Sequence, residues 1–230
     1  MAVSFRVYLI SMSIAIEREV AIFPLPDVAV LPGETISLQI FEPRYRKMID
    51  VVDSKDLLLG ISLAGKVLHD PEKGDNFNPF ERNQQLYEPN TLLGCGPIII
   101  KDRLPDGRFM IELHVKHKVE IKELTQTLPF YMAKVSTVDD DTDSPSNQQR
   151  LALQLRSELV SMTKSLDPTI SSTIARELDG LDLNESIVTI LSMARFTGGF
   201  KQRLLEKSNW SERAELLLEK IPELFPRTTH

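Results

Sequence analysis

Ile22-Phe23-Pro24-Leu25-Pro26, then Leu31-Pro32-Gly33, then Ile36-Ser37-Leu38-Gln39-Ile40-Phe41-Glu42-Pro43-Arg44-Tyr45-Arg46: this stretch decides the fold. Its first part is a weakly alternating strand from Glu19 that stops at Pro24-Leu25-Pro26-Asp27. Pro32-Gly33 marks a second turn. Ile36, Leu38 and Ile40 then fall on one face, the two-residue period of a half-buried strand. At Pro43 the period changes. Tyr45, Met48, Ile49 and Val52 recur at helical spacing, and Pro43 occupies the first helical position, where its fixed φ suits the helix and its missing N–H removes no bond. The spacing predicts a helix over Glu42–Ser54.

Downstream, Leu57–Leu63 reads as a buried strand, and Lys66–Asn90 as a long polar surface loop carrying Phe77, Phe80 and Tyr87. Thr91–Lys101 reads as one strand bent near Gly94-Cys95-Gly96-Pro97. Asp106-Gly107 signals a hairpin, after which Phe109, Ile111, Leu113 and Val115 alternate with polar residues. Val119 and Ile121 continue the pattern, and Tyr131–Val138 adds a last strand. About seven strands and one helix over 19–138 predict a small, mostly antiparallel β-barrel. The preceding residues, 1–18, are expected to be a tail: Val7–Ile16 is too short to span a bilayer, and resembles either a weak signal peptide or a segment upstream of a start at Met12.

The acidic run Asp139–Asp143 has no apolar residue, so 139–144 is expected to be a linker and a protease-sensitive hinge. Residues 145–230 read as helices throughout. Ser144-Pro145 opens the first, with Leu151, Leu155, Leu159, Met162 and Leu166 on one face. Asp167-Pro168 opens the second, and Asp182 with Glu185 forms a capping box for the third, striped by Ile187, Ile190, Leu191 and Ala194. Gly198-Gly199 is expected to break the chain before a short helix at Leu204-Leu205, and Ser211 to open the last, with Ala214, Leu217, Leu218 and Ile221 inward. The fold class is α+β, a barrel followed by a helical bundle.

Over 230 residues the net charge is −6, so phosphate backbones and anionic membrane surfaces are repelled; neither nucleic acid nor membrane is an expected partner. One cysteine, Cys95, excludes an internal disulfide, argues against thiolate zinc, and fits a reducing, cytoplasmic setting. Gly60-Ile61-Ser62-Leu63-Ala64-Gly65-Lys66 matches a phosphate loop until Val67 stands where magnesium needs a hydroxyl, and no helix pattern follows; no ATP binding is expected. His114 and His117 would lie on opposite strand faces, and Cys95 has no nearby base in sequence. Lys207/Ser208 and Ser161/Lys164 sit on polar helix surfaces, where lysine keeps its proton. No catalytic residue, metal ligand or cofactor is therefore expected. Arg44, Arg46 and Lys47 either dock a partner or pair with carboxylates, and the loop aromatics Phe77, Phe80 and Tyr87 either bind apolar peptide or tuck onto the barrel.

The opening stretch resembles the substrate-recognition N-terminal domain of Lon proteases, through Pro24, Pro26, Pro32, Gly33, Phe41, Glu42, Pro43, Arg44 and Tyr45 in that order. Leu104-Pro105-Asp106-Gly107-Arg108-Phe109 looks like that family's central hairpin, and Lys201-Gln202-Arg203-Leu204-Leu205-Glu206 with Glu212-Arg213 like its closing helices. Gly96-Pro97 and Lys116-His117-Lys118 depart from the family pattern. The resemblance implies a PUA-like barrel, a helical bundle, and recognition of unfolded polypeptide. A chain ending at His230 has no room for the ATPase and Ser–Lys protease domains of a whole Lon protease, so a non-enzymatic, stand-alone module or adaptor is expected. Its expected partners are unfolded polypeptides or a protease, with a groove between barrel and helices as the binding place. RNA binding by the PUA-like barrel is the alternative.

Overall fold

The computed structural model describes residues 18–70, 84–164 and 167–224. Five strands close the barrel: β1 (Arg18–Leu25), β9 (Tyr131–Thr137), β8 (His117–Gln126), β5 (Leu92–Gly96) and β3 (Leu58–His69). All neighbours are antiparallel except the closing pair, in which β1 runs parallel to β3 from Val20 opposite Leu58 to Leu25 opposite Leu63. A short strand, β4 (Leu86–Pro89), is added to the outer part of β3. A second sheet has the order β2 (Thr35–Ile40), β7 (Phe109–His114), β6 (Ile98–Arg103).

The alternation along β1 shows how the layers join. Val20 and Ile22 enter the barrel interior with Leu93, Val119 and Val135. Ala21 and Phe23 face the opposite way, into a core shared by the second sheet and by α1 (Pro43–Lys55), which buries Tyr45, Met48, Ile49 and Val52 there. Both faces of β1 are buried, so its apolar pattern is nearly continuous, as for an inner strand.

Five helices follow: α2 (Pro145–Lys164), α3 (Pro168–Glu177), α4 (Leu183–Met193), α5 (Gly198–Leu205) and α6 (Trp210–Leu224). Their core contains Leu151, Leu155, Ile187, Leu204 and Leu217, and also takes in Leu31 and Leu92 from the β-module. Two of the expected caps are made: Asp167 accepts from the Thr169 N–H, and Asp182 and Glu185 form the reciprocal box.

Several boundaries differ from the sequence reading. Arg18 belongs to β1. The expected loop 66–90 is in part a ribbon, because β3 runs on to His69 and pairs with β4. Its faces are both solvated, with Val67 48% exposed, so no alternation marked it. The expected bent strand over Thr91–Lys101 is two strands in two sheets, separated at Pro97. Gly198-Gly199 begins α5 under a cap from Thr197, where a break was expected. The last helix begins at Trp210, and Asn209 Oδ1 accepts from the Glu212 N–H at its start, the role expected of Ser211.

Candidate functional site

The motif residues converge on two structural tasks. In the first, α1 organises the loops beside it. The Glu42 carboxylate accepts from the Gln84 N–H at 2.9 Å and from Arg44 at 2.9 Å, and Arg44 donates to the Gln85 carbonyl at 2.6 Å. Burial pushes the Glu42 carboxyl up, against the opposing effect of the Gln84 N–H and Arg44. Arg44 also lies over the Tyr45 ring, and Tyr45 packs on Phe23 with ring centroids 4.2 Å apart. Arg46 donates to the Asp106 carbonyl at 2.9 Å, next to Gly107, whose φ of +83° turns the hairpin. The Arg108 N–H and guanidinium, both bonded to Asp106, hold that carboxyl below its usual range. The basic cluster around Arg44 and Arg46 therefore fastens internal backbone.

In the second, the turns after β1 seat the helices. Asp27 Oδ1 accepts from the Gly198 N–H at 2.6 Å. Glu34 accepts from the Leu31 N–H at 2.7 Å and pairs with Lys201 of α5. Gly33 has a φ of +95°, and a Cβ there would meet Val188 of α4 at 3.0 Å. Gln202 donates to the Leu92 carbonyl. The seam between barrel and helices is thus crossed by hydrogen bonds and an ion pair.

The acidic run is held as well. Asp140 accepts from both terminal nitrogens of the fully buried Arg213 guanidinium and from the buried Lys118 ammonium. Arg213 also donates to the Leu204 and Lys207 carbonyls, and its guanidinium lies 4.5 Å from the Trp210 ring centroid. Asp143 accepts from the Ser211 N–H, and the Asp141 N–H donates to the Ser208 carbonyl. Two cations distant in sequence thus pair with Asp140, within the run expected from self-repulsion to be a hinge. Lys118, at the start of β8, is one of them.

The catalytic candidates stay apart. Cys95 is fully buried on β5 beside a cavity of about 110 Å³ bordered by Val20, Leu58, Val119 and Val135 as well as Arg18 and His117. Burial pushes its thiol up to about 12, which favours the protonated thiol over the nucleophilic thiolate at neutral pH. Lys66 follows Gly60–Gly65 within strand β3 and pairs with Glu88, without the helix N-terminus that phosphate binding needs. His114 and His117 belong to different sheets. Among the described residues no group of three or more His, Cys, Asp or Glu could hold a metal ion, and no helix is long and apolar enough to cross a membrane.

Phe77 and Phe80 lie outside the described residues. Tyr87 is half-buried on β4, and its hydroxyl donates to Gln85. The open apolar space is elsewhere. A groove of about 640 Å³ runs between α2, α3 and α4, lined by Leu159, Ile170, Ile174, Ile190 and Met193. Ile170 and Met193 are 50% and 43% exposed. Its origin is local: α3 meets α2 through the small Ser171, whose hydroxyl donates to the Val160 carbonyl at 3.1 Å, leaving Ile170 and Ile174 to face the open side. Asp167 and Arg195 are the charged residues of the lining. The signal in sequence was the Ile170/Ile174 pair at i, i+4 in a helix otherwise rich in Ser and Thr.

Comparison with known proteins fits this architecture. Lon protease 1 of Herpetosiphon aurantiacus is 30% identical over 161 residues, 70% of this chain and 17% of that protein. The Lon protease of Parabacteroides distasonis is 23% identical over 208 residues, 86% of this chain and 23% of that one. The chain thus spans less than a quarter of the length of these curated relatives. The N-terminal domain of Mycobacterium avium complex Lon protease has the same fold, with a TM-score of 0.64 at 17% identity over 90% of this chain and 99% of that one. A Lon N-terminal domain protein from Xanthomonas campestris aligns at a TM-score of 0.53 and 20% identity, over 87% of this chain and 97% of that one. The family model of the ATP-dependent protease La (LON) substrate-binding domain matches residues 19–222, from the first strand of the barrel into the last helix, and the chain belongs to that family.

Proposed function

We propose that this chain is a non-enzymatic recognition domain that holds apolar segments of unfolded polypeptide in the α2–α3–α4 groove, and serves as an adaptor that brings them to a protease. The observation that carries the reading is that groove, about 640 Å³ with Ile170 and Met193 exposed on it, in a member of a substrate-binding family. The volume lies within the range of ligand sites, and a methionine at the rim adapts to varied side chains. Half-buried Tyr87 on β4 is a second candidate contact. The lone, buried Cys95 suits a cytoplasmic setting.

Magnitudes set the affinity. Covering roughly 200–300 Å² of apolar peptide surface contributes about 5–8 kcal/mol at ~25 cal/mol/Å². Ordering an extended segment takes back several kcal/mol, so the dissociation constant falls at hundreds of micromolar or weaker. With a net charge of −6, attraction rests on apolar contact and survives moderate salt.

Fluorescence anisotropy with a labelled, reduced and carboxymethylated protein tests this. Ile170→Asp should weaken binding about tenfold or more, since a carboxylate in an apolar groove must be desolvated. Undiminished binding by Ile170→Asp would remove the groove as the site, and affinity that collapses at physiological salt would remove the apolar mechanism. Tight binding to structured RNA with none to unfolded chains would favour the RNA reading.

A further inference from the structure

Sheet edges present unpaired N–H and C=O groups, and proteins blunt them with prolines, charges, bulges or short strands. The second sheet is blunted on one side only. On β6, Pro97 precedes the strand, the register with β7 shifts between Ile100 and Asp102, and Lys101, Asp102 and Arg103 follow one another. The barrel's added edge, β4, has four residues, including Glu88 and Pro89, and an irregular register. β2 has none of these devices. Thr35-Ile36-Ser37-Leu38-Gln39-Ile40 contains no charge and no proline, and its register with β7 is unbroken over six pairs.

The hydrogen-bond phase of that edge is known. The Val115 N–H donates to the Glu34 carbonyl, and Glu34 stands opposite Val115 in the register that continues through Thr35 and His114. Alternation along an antiparallel pair then turns the N–H and C=O of Ile36, Leu38 and Ile40 toward β7. Those of Thr35, Ser37 and Gln39 turn to the other edge, where no strand pairs with β2 among the described residues, and these three residues are exposed. They repeat at about 6.8 Å, a spacing that another extended backbone matches.

We infer that the free edge of β2 binds an extended segment of unfolded polypeptide by strand addition, making the three-stranded sheet four-stranded. The inference rests on the polypeptide-binding reading above and deepens it. Recognition at β2 is of the main chain: any extended segment that presents its own N–H and C=O groups fits, proline-rich segments do not, and folded proteins have few such groups free. The edge and the groove therefore read different things, backbone availability and apolar side chains.

The test uses the full chain and a labelled, soluble ten-residue peptide of alternating threonine and valine. Ser37→Pro removes an outward N–H without touching the ladder to β7, so the sheet stays intact. It should weaken binding of this peptide about tenfold, as should N-methylation of alternate peptide amides, each removing hydrogen bonds the edge makes. If Ser37→Pro, shown folded by circular dichroism, binds the peptide like wild type, the edge is not a binding site, while groove-dependent binding of the carboxymethylated protein would leave the parent reading standing. If neither probe binds wild type, the parent reading fails with it. A wild-type dimer in analytical ultracentrifugation that Ser37→Pro turns into monomer would overturn the inference by assigning the edge to a second copy.

Discussion

Asp140 is one carboxylate facing two buried cations, Lys118 and Arg213. Burial alone would raise its pKa, but the hydrogen bonds and charges of Arg213 and Lys118 outweigh that and lower it. With the folded pKa below the unfolded one, near ~3.9, the contribution to stability is complete above the unfolded value and is lost as pH falls through the folded one. Asp140→Asn should cost about 3 kcal/mol at pH 7, the lower end for breaking a buried pair because the carboxylate is 24% exposed. Urea denaturation should show the deficit shrinking below about pH 4. Adding Lys118→Met should recover part of it by removing one of two adjacent like charges; a further loss would mean Lys118 is held by packing alone. Cys95 behaves oppositely. Its pKa is raised to about 12 by burial, so its stabilising effect is complete below the unfolded value, near ~8.5, and disappears as pH rises through 12. A thiol reagent at pH 8 should label Cys95 only in denaturant; rapid labelling of the folded protein would contradict its burial. At this scale the sequence was legible for Cys95, whose apolar neighbours announce burial. It was not for Asp140, whose acidic neighbours read as solvated and whose partner Arg213 is 73 residues away.

Single elements were read best where one residue dictates backbone geometry. Pro43 at the start of α1, Asp167 under α3 and the Asp182–Glu185 box under α4 stand where the sequence puts them. Asp182→Ala should cost about 1 kcal/mol in thermal or urea unfolding, the usual worth of a lost cap. Gly33 makes a comparable test for a turn. Gly33→Ala places a Cβ 3.0 Å from Val188 Cγ2 at a φ of +95°, and should destabilise by about 1–3 kcal/mol. Val188→Ala in that background should relieve only the steric part, leaving the backbone strain. Where a strand boundary depends on which sheet each half joins, local pattern is silent. Leu92–Gly96 and Ile98–Arg103 read as one apolar run because both sides of Pro97 are strand, and only the partners differ, β3 and β8 before it and β7 after it. The β3–β4 ribbon escaped for a different reason: neither of its faces is covered enough to impose a two-residue period.

For the whole molecule, barrel and helices are expected to unfold together. Leu31 and Leu92 belong to the helical core, and Asp27–Gly198, Glu34–Lys201 and Lys118–Asp140–Arg213 cross the seam. Trp210, the one tryptophan, stacks on Arg213 and reports the helical side, while far-ultraviolet circular dichroism weights helix and strand together. The two signals should give one coincident transition in urea. Separate midpoints would show that the seam does not couple the modules. That a barrel is followed by helices was legible in the strand and helix periods on either side of the acidic run, whereas the α2–α3–α4 groove was not singled out. The seam is crossed by pairs 171 and 167 residues apart, which no window of sequence displays, and a groove lies inside the helical part.

The closing of the barrel by β1 has a consequence for the order of events on the ribosome. β1 is made first among the described strands, yet one of its two neighbours is β9, the last strand of the barrel. Between Leu25 and Thr137 lie 137 − 25 = 112 residues of further synthesis. At ~5–20 residues per second the nascent strand waits roughly 6–22 s for that partner. During this time Val20, Ile22 and Phe23 have no completed core to enter, and β3 is the sole strand of the pair available to shelter them. A parallel contact with β3 early in translation, followed much later by insertion against β9, makes the newborn chain itself a client for chaperones until residue 137 has cleared the exit tunnel.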